Sequence, residues 1–187
     1  MVRNWQGFRF KYQSMRGVRL FSIMTAVLSS GLYLSSPSIT VAQTITKSSG
    51  LPLPRFVSLR APEVNMRTGP GVRYPVDWVY KRRNMPVEII AEFGTWRKVR
   101  DVQGTEGWIH QSMLSGNRTL AVTGQTRTLR QYPDSKSVAV ARVEPGAVGG
   151  IQTCPEGSGW CQLSFGKYDG WLRRVEFWGV YPSERIK

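Results

Sequence analysis

From Arg55 onward the chain alternates short apolar bursts with turn-forming residues. Phe56–Leu59, Val76–Tyr80, Val87–Phe93, Trp96–Val102 and Gly107–Ile109 have the length and the β-branched or aromatic content of strands. Pro62, Gly69-Pro70-Gly71, Pro75, Pro86, Gly94 and Gly104 punctuate them. Asn65–Thr68 reads as a further short strand entering a turn, where Gly69 and Gly71 can supply positive φ around the rigid Pro70. No apolar period of 3.6 residues is sustained over the length of a helix, and Gln111–Leu114 predicts a single helical turn. The pattern predicts an all-β chain built from small strands.

The bursts recur. Asn65-Met66-Arg67, Trp96-Arg97-Lys98-Val99 and Gly107-Trp108-Ile109 are followed by Thr128-Leu129-Arg130, Trp160-Cys161-Gln162-Leu163 and Gly170-Trp171-Leu172, at offsets of 63, 64 and 63 residues. Three features at a near-constant offset predict two tandem modules, 55–116 and 117–187, of about 60 residues each. Domains this short bury only about 60% of their unfolded surface, so packing the pair together would help both. Within each module Trp96 and Val99, like Trp160 and Leu163, are three apart and face opposite sides of a regular strand. Either a bulge intervenes, or the tryptophan faces outward while the aliphatic residue packs inside.

The first 42 residues have a different pattern. Arg3, Arg9, Lys11, Arg16 and Arg19 precede an uncharged, mostly apolar stretch from Leu20 to Leu34, and Thr40-Val41-Ala42 places small residues before a cut after Ala42. That is the layout of a secretory signal peptide. The rival reading is an uncleaved membrane anchor over residues 18–37, diluted by Ser29, Ser30, Ser35, Ser36 and Pro37. Residues 43–54 are polar, Pro/Gly-containing and linker-like. Export predicts a periplasmic or secreted protein.

Charge adds little until this segment is set aside. The 187-residue chain has 26 Lys plus Arg against 12 Asp plus Glu, a formal +14. Without the five basic residues of 1–42, 21 face 12 and the excess is +9. Lys81-Arg82-Arg83 is the densest basic run, read first as a solvated turn and second as a contact with an anionic polymer or lipid headgroups. Two Cys and one His cannot supply a four-ligand Cys/His zinc cluster, and no cofactor is expected. There is no Gly-x-Ser-x-Gly elbow and no G-x-x-x-x-G-K loop, so the chain is expected not to be an enzyme. In an oxidising compartment Cys154 and Cys161 suggest a disulfide across a hairpin mouth. The alternative, a redox-active pair, lacks C-x-x-C spacing and a following helix start.

Val64-Asn65-Met66-Arg67-Thr68-Gly69-Pro70-Gly71, Pro86-Val87-Glu88-Ile89-Ile90, Trp96-Arg97-Lys98-Val99 and Gly107-Trp108-Ile109 together resemble the bacterial SH3-like (SH3b) domain. The second module resembles a diverged copy: Arg130-Gln131-Tyr132-Pro133 replaces the Gly-Pro-Gly turn, and Gly149-Gly150 is expected to interrupt its central strand. The resemblance implies two small, strongly bent β-barrels that bind peptides or cell-wall material. Candidate ligand-binding residues are Arg67, Tyr74, Trp78, Tyr80, Trp96, Arg130 and Trp160. Aromatic rims suit apolar or proline-rich segments, and arginine forks suit carboxylates. The expected partner is a peptide, cell-wall material such as peptidoglycan, or another envelope protein. Nucleic acid is not expected, and membrane contact is expected only through an uncleaved N-terminus.

Overall fold

The computed structural model describes residues 49–187. The signal peptide or anchor and residues 43–48 of the linker lie outside the described residues. Among those described, the chain is all-β and forms two seven-stranded antiparallel sheets, one per module.

The first sheet comprises β1 (Arg55–Leu59), β2 (Val64–Arg67), β3 (Val76–Tyr80), β4 (Pro86–Phe93), β5 (Trp96–Arg100), β6 (Glu106–His110) and β7 (Leu114–Ser115), in the order β3-β2-β6-β5-β4-β1-β7. The second comprises β8 (Thr119–Val122), β9 (Arg127–Arg130), β10 (Ala139–Val143), β11 (Val148–Thr153), β12 (Trp160–Phe165), β13 (Tyr168–Arg173) and β14 (Phe177–Trp178), in the order β10-β9-β13-β12-β11-β8-β14. The two orders are the same topology, element for element. A 3₁₀ turn at Gln111–Met113, where the helical turn was predicted, leads into β7, and Arg174–Glu176 forms its counterpart before β14.

Each sheet curls around its own core. Leu59, Val64, Met66, Tyr80, Val87, Ile89, Val99, Ile109 and Leu114 fill the first. Leu120, Val122, Leu129, Val143, Cys154, Cys161, Leu163, Leu172 and Phe177 fill the second. The tight crossing inside each barrel needs a glycine. A Cβ on Gly107 would lie 2.5 Å from Met66 Cγ and 3.0 Å from the Arg67 carbonyl oxygen; one on Gly170 would lie 2.7 Å from the Arg130 carbonyl oxygen. The repeat therefore preserves a close backbone approach.

Three expectations change. Gly149 and Gly150 do not interrupt the central strand: β11 runs through them, and the ring of Phe165 and the Ser164 carbonyl occupy the space a Cβ on Gly149 would need. β5 stops at Arg100 rather than Val102, because the Asp101 carboxylate accepts the N–H groups of Gln103 and Thr105, both at 2.9 Å, and folds the chain into a turn. Residues 49–54 are exposed yet anchored. Ser49 donates to Glu92 through both its backbone N–H and its hydroxyl, at 2.7 Å each, and Arg55 reaches the same carboxylate at 2.6 Å.

The modules also pack on one another. Phe56 of β1 meets Trp178 edge-on and Tyr181 at a tilt, both with centroids 4.8 Å apart, and the Arg118 guanidinium lies over the same ring. The Tyr181 hydroxyl donates to Glu88 of β4 at 2.8 Å, and Arg82 donates to the Gly146 carbonyl at 2.7 Å. The basic run at 81–83 is thus an exposed turn, with one of its members bridging the barrels.

Candidate functional site

The outward face of β5 settles the parity of Trp96. Arg97 and Val99 point inward, while Trp96, Lys98 and Arg100 point outward; β5 itself keeps strict alternation from Trp96 to Val99, and the irregularity in the ladder lies on β4 between Ile89 and Ala91. Trp96 and His110 are cross-strand partners, and their rings meet edge to face at 5.4 Å. Together with Glu63, Asn65, Arg67, Val72, Ser112 and Met113 they line an open groove of about 300 Å³. His110, at the end of β6, is held in place through Nδ1, which lies 2.7 Å from the Ser112 hydroxyl and accepts the Ser112 N–H at 3.3 Å.

Arg67 reaches this groove from β2, but its first task is local. Its Nη1 donates to the carbonyls of Val72 at 3.1 Å and Tyr74 at 2.7 Å, clasping the loop that follows the Gly-Pro-Gly turn. Tyr74 lays its ring over Gly69 and beneath Arg73, so it shapes that loop rather than lining the groove. Trp78 is exposed on the edge strand β3 and is not among the groove-lining residues. Tyr80 does not belong to the rim. It lies over the core where β3 pairs with Val64, and its hydroxyl donates to Asp101 Oδ2 at 3.0 Å. Burial, with the Asp101 charge next in weight, holds its phenol well above the ordinary tyrosine range.

The second module repeats the groove. Gln125, Thr126, Arg127, Thr128, Arg130, Ser135, Trp160, Arg173 and Glu176 enclose about 200 Å³. Trp160 and Arg173 are cross-strand partners, as Trp96 and His110 are, with the guanidinium 5.9 Å from the ring. Arg130 clasps its loop through the Ser137 carbonyl at 2.7 Å, repeating the role of Arg67. At the repeat offset Thr126, Thr128, Arg130, Ser135, Trp160, Arg173 and Glu176 replace Glu63, Asn65, Arg67, Val72, Trp96, His110 and Met113. The structure therefore brings Arg67 together with Trp96 and Arg130 together with Trp160.

Sequence reasoning missed Val72, His110, Met113 and Arg173 as groove walls. Carrying the 63-residue offset of Asn65 and Gly107 through the residues around them would have paired Val72 with Ser135, His110 with Arg173 and Met113 with Glu176. Arg174 differs from its exposed neighbour Arg173. Arg174 is buried and donates to the carbonyls of Pro155, Ser158, Tyr181 and Glu184 at 2.8–3.1 Å, tying the disulfide loop to the C-terminal segment. The expected Cys154–Cys161 disulfide is formed.

Paired bent barrels, each with an outward tryptophan in a shallow groove, define a tandem SH3-like protein. Residues 60–116 and 124–179 both match the bacterial SH3 domain, and the chain belongs to that family. No curated protein matches the sequence. Among solved structures it is similar to NlpC1 from Trichomonas vaginalis, at 14% identity and a TM-score of 0.31 over 71% of this chain, and to NlpC2 from the same organism, at 14% and 0.31 over 67%. The chain spans 48% of the length of each.

Proposed function

We propose that this chain is an exported, non-enzymatic binding protein whose first-module groove takes a peptide or a peptide-bearing cell-wall component such as the stem peptides of peptidoglycan. The observation that carries this reading is Trp96, turned outward in the groove of a barrel whose core is complete without it. A flat, half-buried indole braced by His110, with Val72 and Met113 beside it, offers apolar contact surface at small entropic cost. The +9 excess of residues 43–187 suits ligands that carry carboxylates. The basic-then-apolar N-terminus and the disulfide support export.

Co-sedimentation with isolated peptidoglycan at low and moderate salt tests the reading. Retention at both salts is expected, with Trp96→Ala weakening it about tenfold while leaving the fold intact by circular dichroism. Loss at moderate salt would mean that charge alone held the protein. A second reading, an adaptor for another envelope protein, draws on the exposed Val76 and Trp78 of edge strand β3. Absence of sedimentation even at low salt, with a protein recovered from envelope extract, would favour it.

A further inference from the structure

The two grooves share a topology, but their walls differ in charge. The first is lined by one guanidinium, Arg67, and one carboxylate, Glu63, together with His110 and Met113. In the second, Glu63 has become Thr126, Val72 has become Ser135, His110 has become Arg173, and Arg127 joins the lining from the position that Val64 fills in the first core. Three guanidinium groups and one carboxylate, Glu176, now line the cavity.

These arginines are braced without being used up. Arg127 donates to the Thr123 carbonyl through Nε and Nη2 at 3.3 and 3.2 Å. Arg130 donates through Nη1 to Ser137. Arg173 meets Glu176 through Nη2 at 3.3 Å while its guanidinium lies over Trp160. Glu176 is otherwise occupied, accepting the Arg173 backbone N–H at 2.9 Å. Each guanidinium is held by only part of its N–H set, which leaves further N–H groups of all three lining residues for a small anion in the groove.

We infer that the second-module groove is an anion site that takes a carboxylate or phosphate group. Trp160 provides a flat floor beside it, and the first groove takes the less charged part of a ligand. This rests on the reading of the Trp96 groove as a binding face, since the second site is its repeat. It divides the labour between modules that would otherwise be duplicates.

The test follows the indole N–H signals of the purified full-length chain by NMR. The titrants are inorganic phosphate, acetyl-Ala-Ala with a free carboxylate, and the same dipeptide as its C-terminal amide. A saturable shift of Trp160 with phosphate or the free acid, but not with the amide, is expected. Arg127→Gln and Arg173→Gln should each weaken it about tenfold, the order expected for one charge-assisted contact. A response to the free acid alone assigns the site to peptide ends; a response to phosphate alone assigns it to phosphate-bearing polymers or headgroups. No saturable shift with either anion, or equal affinity in both variants, overturns the proposal. Its failure is separable from that of the peptidoglycan reading, because that reading is scored on Trp96 by sedimentation and this one on Trp160 by titration.

Discussion

Tyr80 marks the point where edge strand β3 stops being surface and becomes core. Trp78 and Tyr80 share a strand face, yet Trp78 is 53% exposed and Tyr80 4%. The strand crosses the barrel end between them, and a two-residue period cannot report where a barrel ends. Removing the hydroxyl by Tyr80→Phe deprives the buried Asp101 carboxylate of one donor. A loss of about 1–2 kcal/mol in denaturant unfolding is expected, with peptidoglycan retention unchanged. A rim tyrosine would give the opposite pair of results. Arg97 was illegible for a related reason. Arginine is rarely buried, and only the fold reveals that its Nε meets Glu92 at 3.2 Å and its Nη2 meets Gln111 at 2.7 Å.

At the scale of elements, the repeat was legible because strands of constant length reproduce constant offsets. The differences between the copies were not, because each is a local replacement with its own physics. Glu92 and Arg97 are partners across β4 and β5. At the matching seam between β11 and β12 stands the Cys154–Cys161 disulfide. One barrel end is closed by an ion pair shared with Arg55 and Ser49, the other by a covalent bond. Closing this short ring contributes about 2–3 kcal/mol in the loop-entropy model. Reductant should lower the thermal midpoint of the wild-type chain and leave a Cys154→Ser, Cys161→Ser double variant unmoved at an already lower midpoint, as read by calorimetry.

At the scale of the whole molecule, residues 178–184 join the two barrels. Arg118 forms a bidentate ion pair with Glu184, whose Oε2 also accepts the Tyr181 N–H at 3.1 Å, and Tyr181 then reaches Glu88 in the other barrel. Burial works to raise the Glu184 pKa, but the Arg118 pair and the Tyr181 N–H outweigh it, so the group sits below its ordinary value of 4.5. A carboxylate lowered on folding stabilises the folded state above its ordinary value, and that contribution is lost as pH falls through the lowered one. Urea midpoints of wild type and Glu184→Gln should therefore converge as pH drops from about 5 to about 3. A constant gap would remove Glu184 from the acid response. Two modules were legible from the repeat, but their contact was not. Phe56 lies far in sequence from Trp178 and Tyr181 and shares no period with them, so only the folded chain brings them together.

If both grooves bind as proposed, that contact would make the protein a gauge as well. Barrels strung on a loose tether would accept binding points at almost any separation, with avidity set by tether length. Barrels joined through Phe56, Tyr181 and Arg82 restrict the spacing of their grooves far more than a loose tether would. On the proposed function, a polymer whose repeat matches that pitch would engage both at once, whereas one of the same chemistry but different pitch would engage only one.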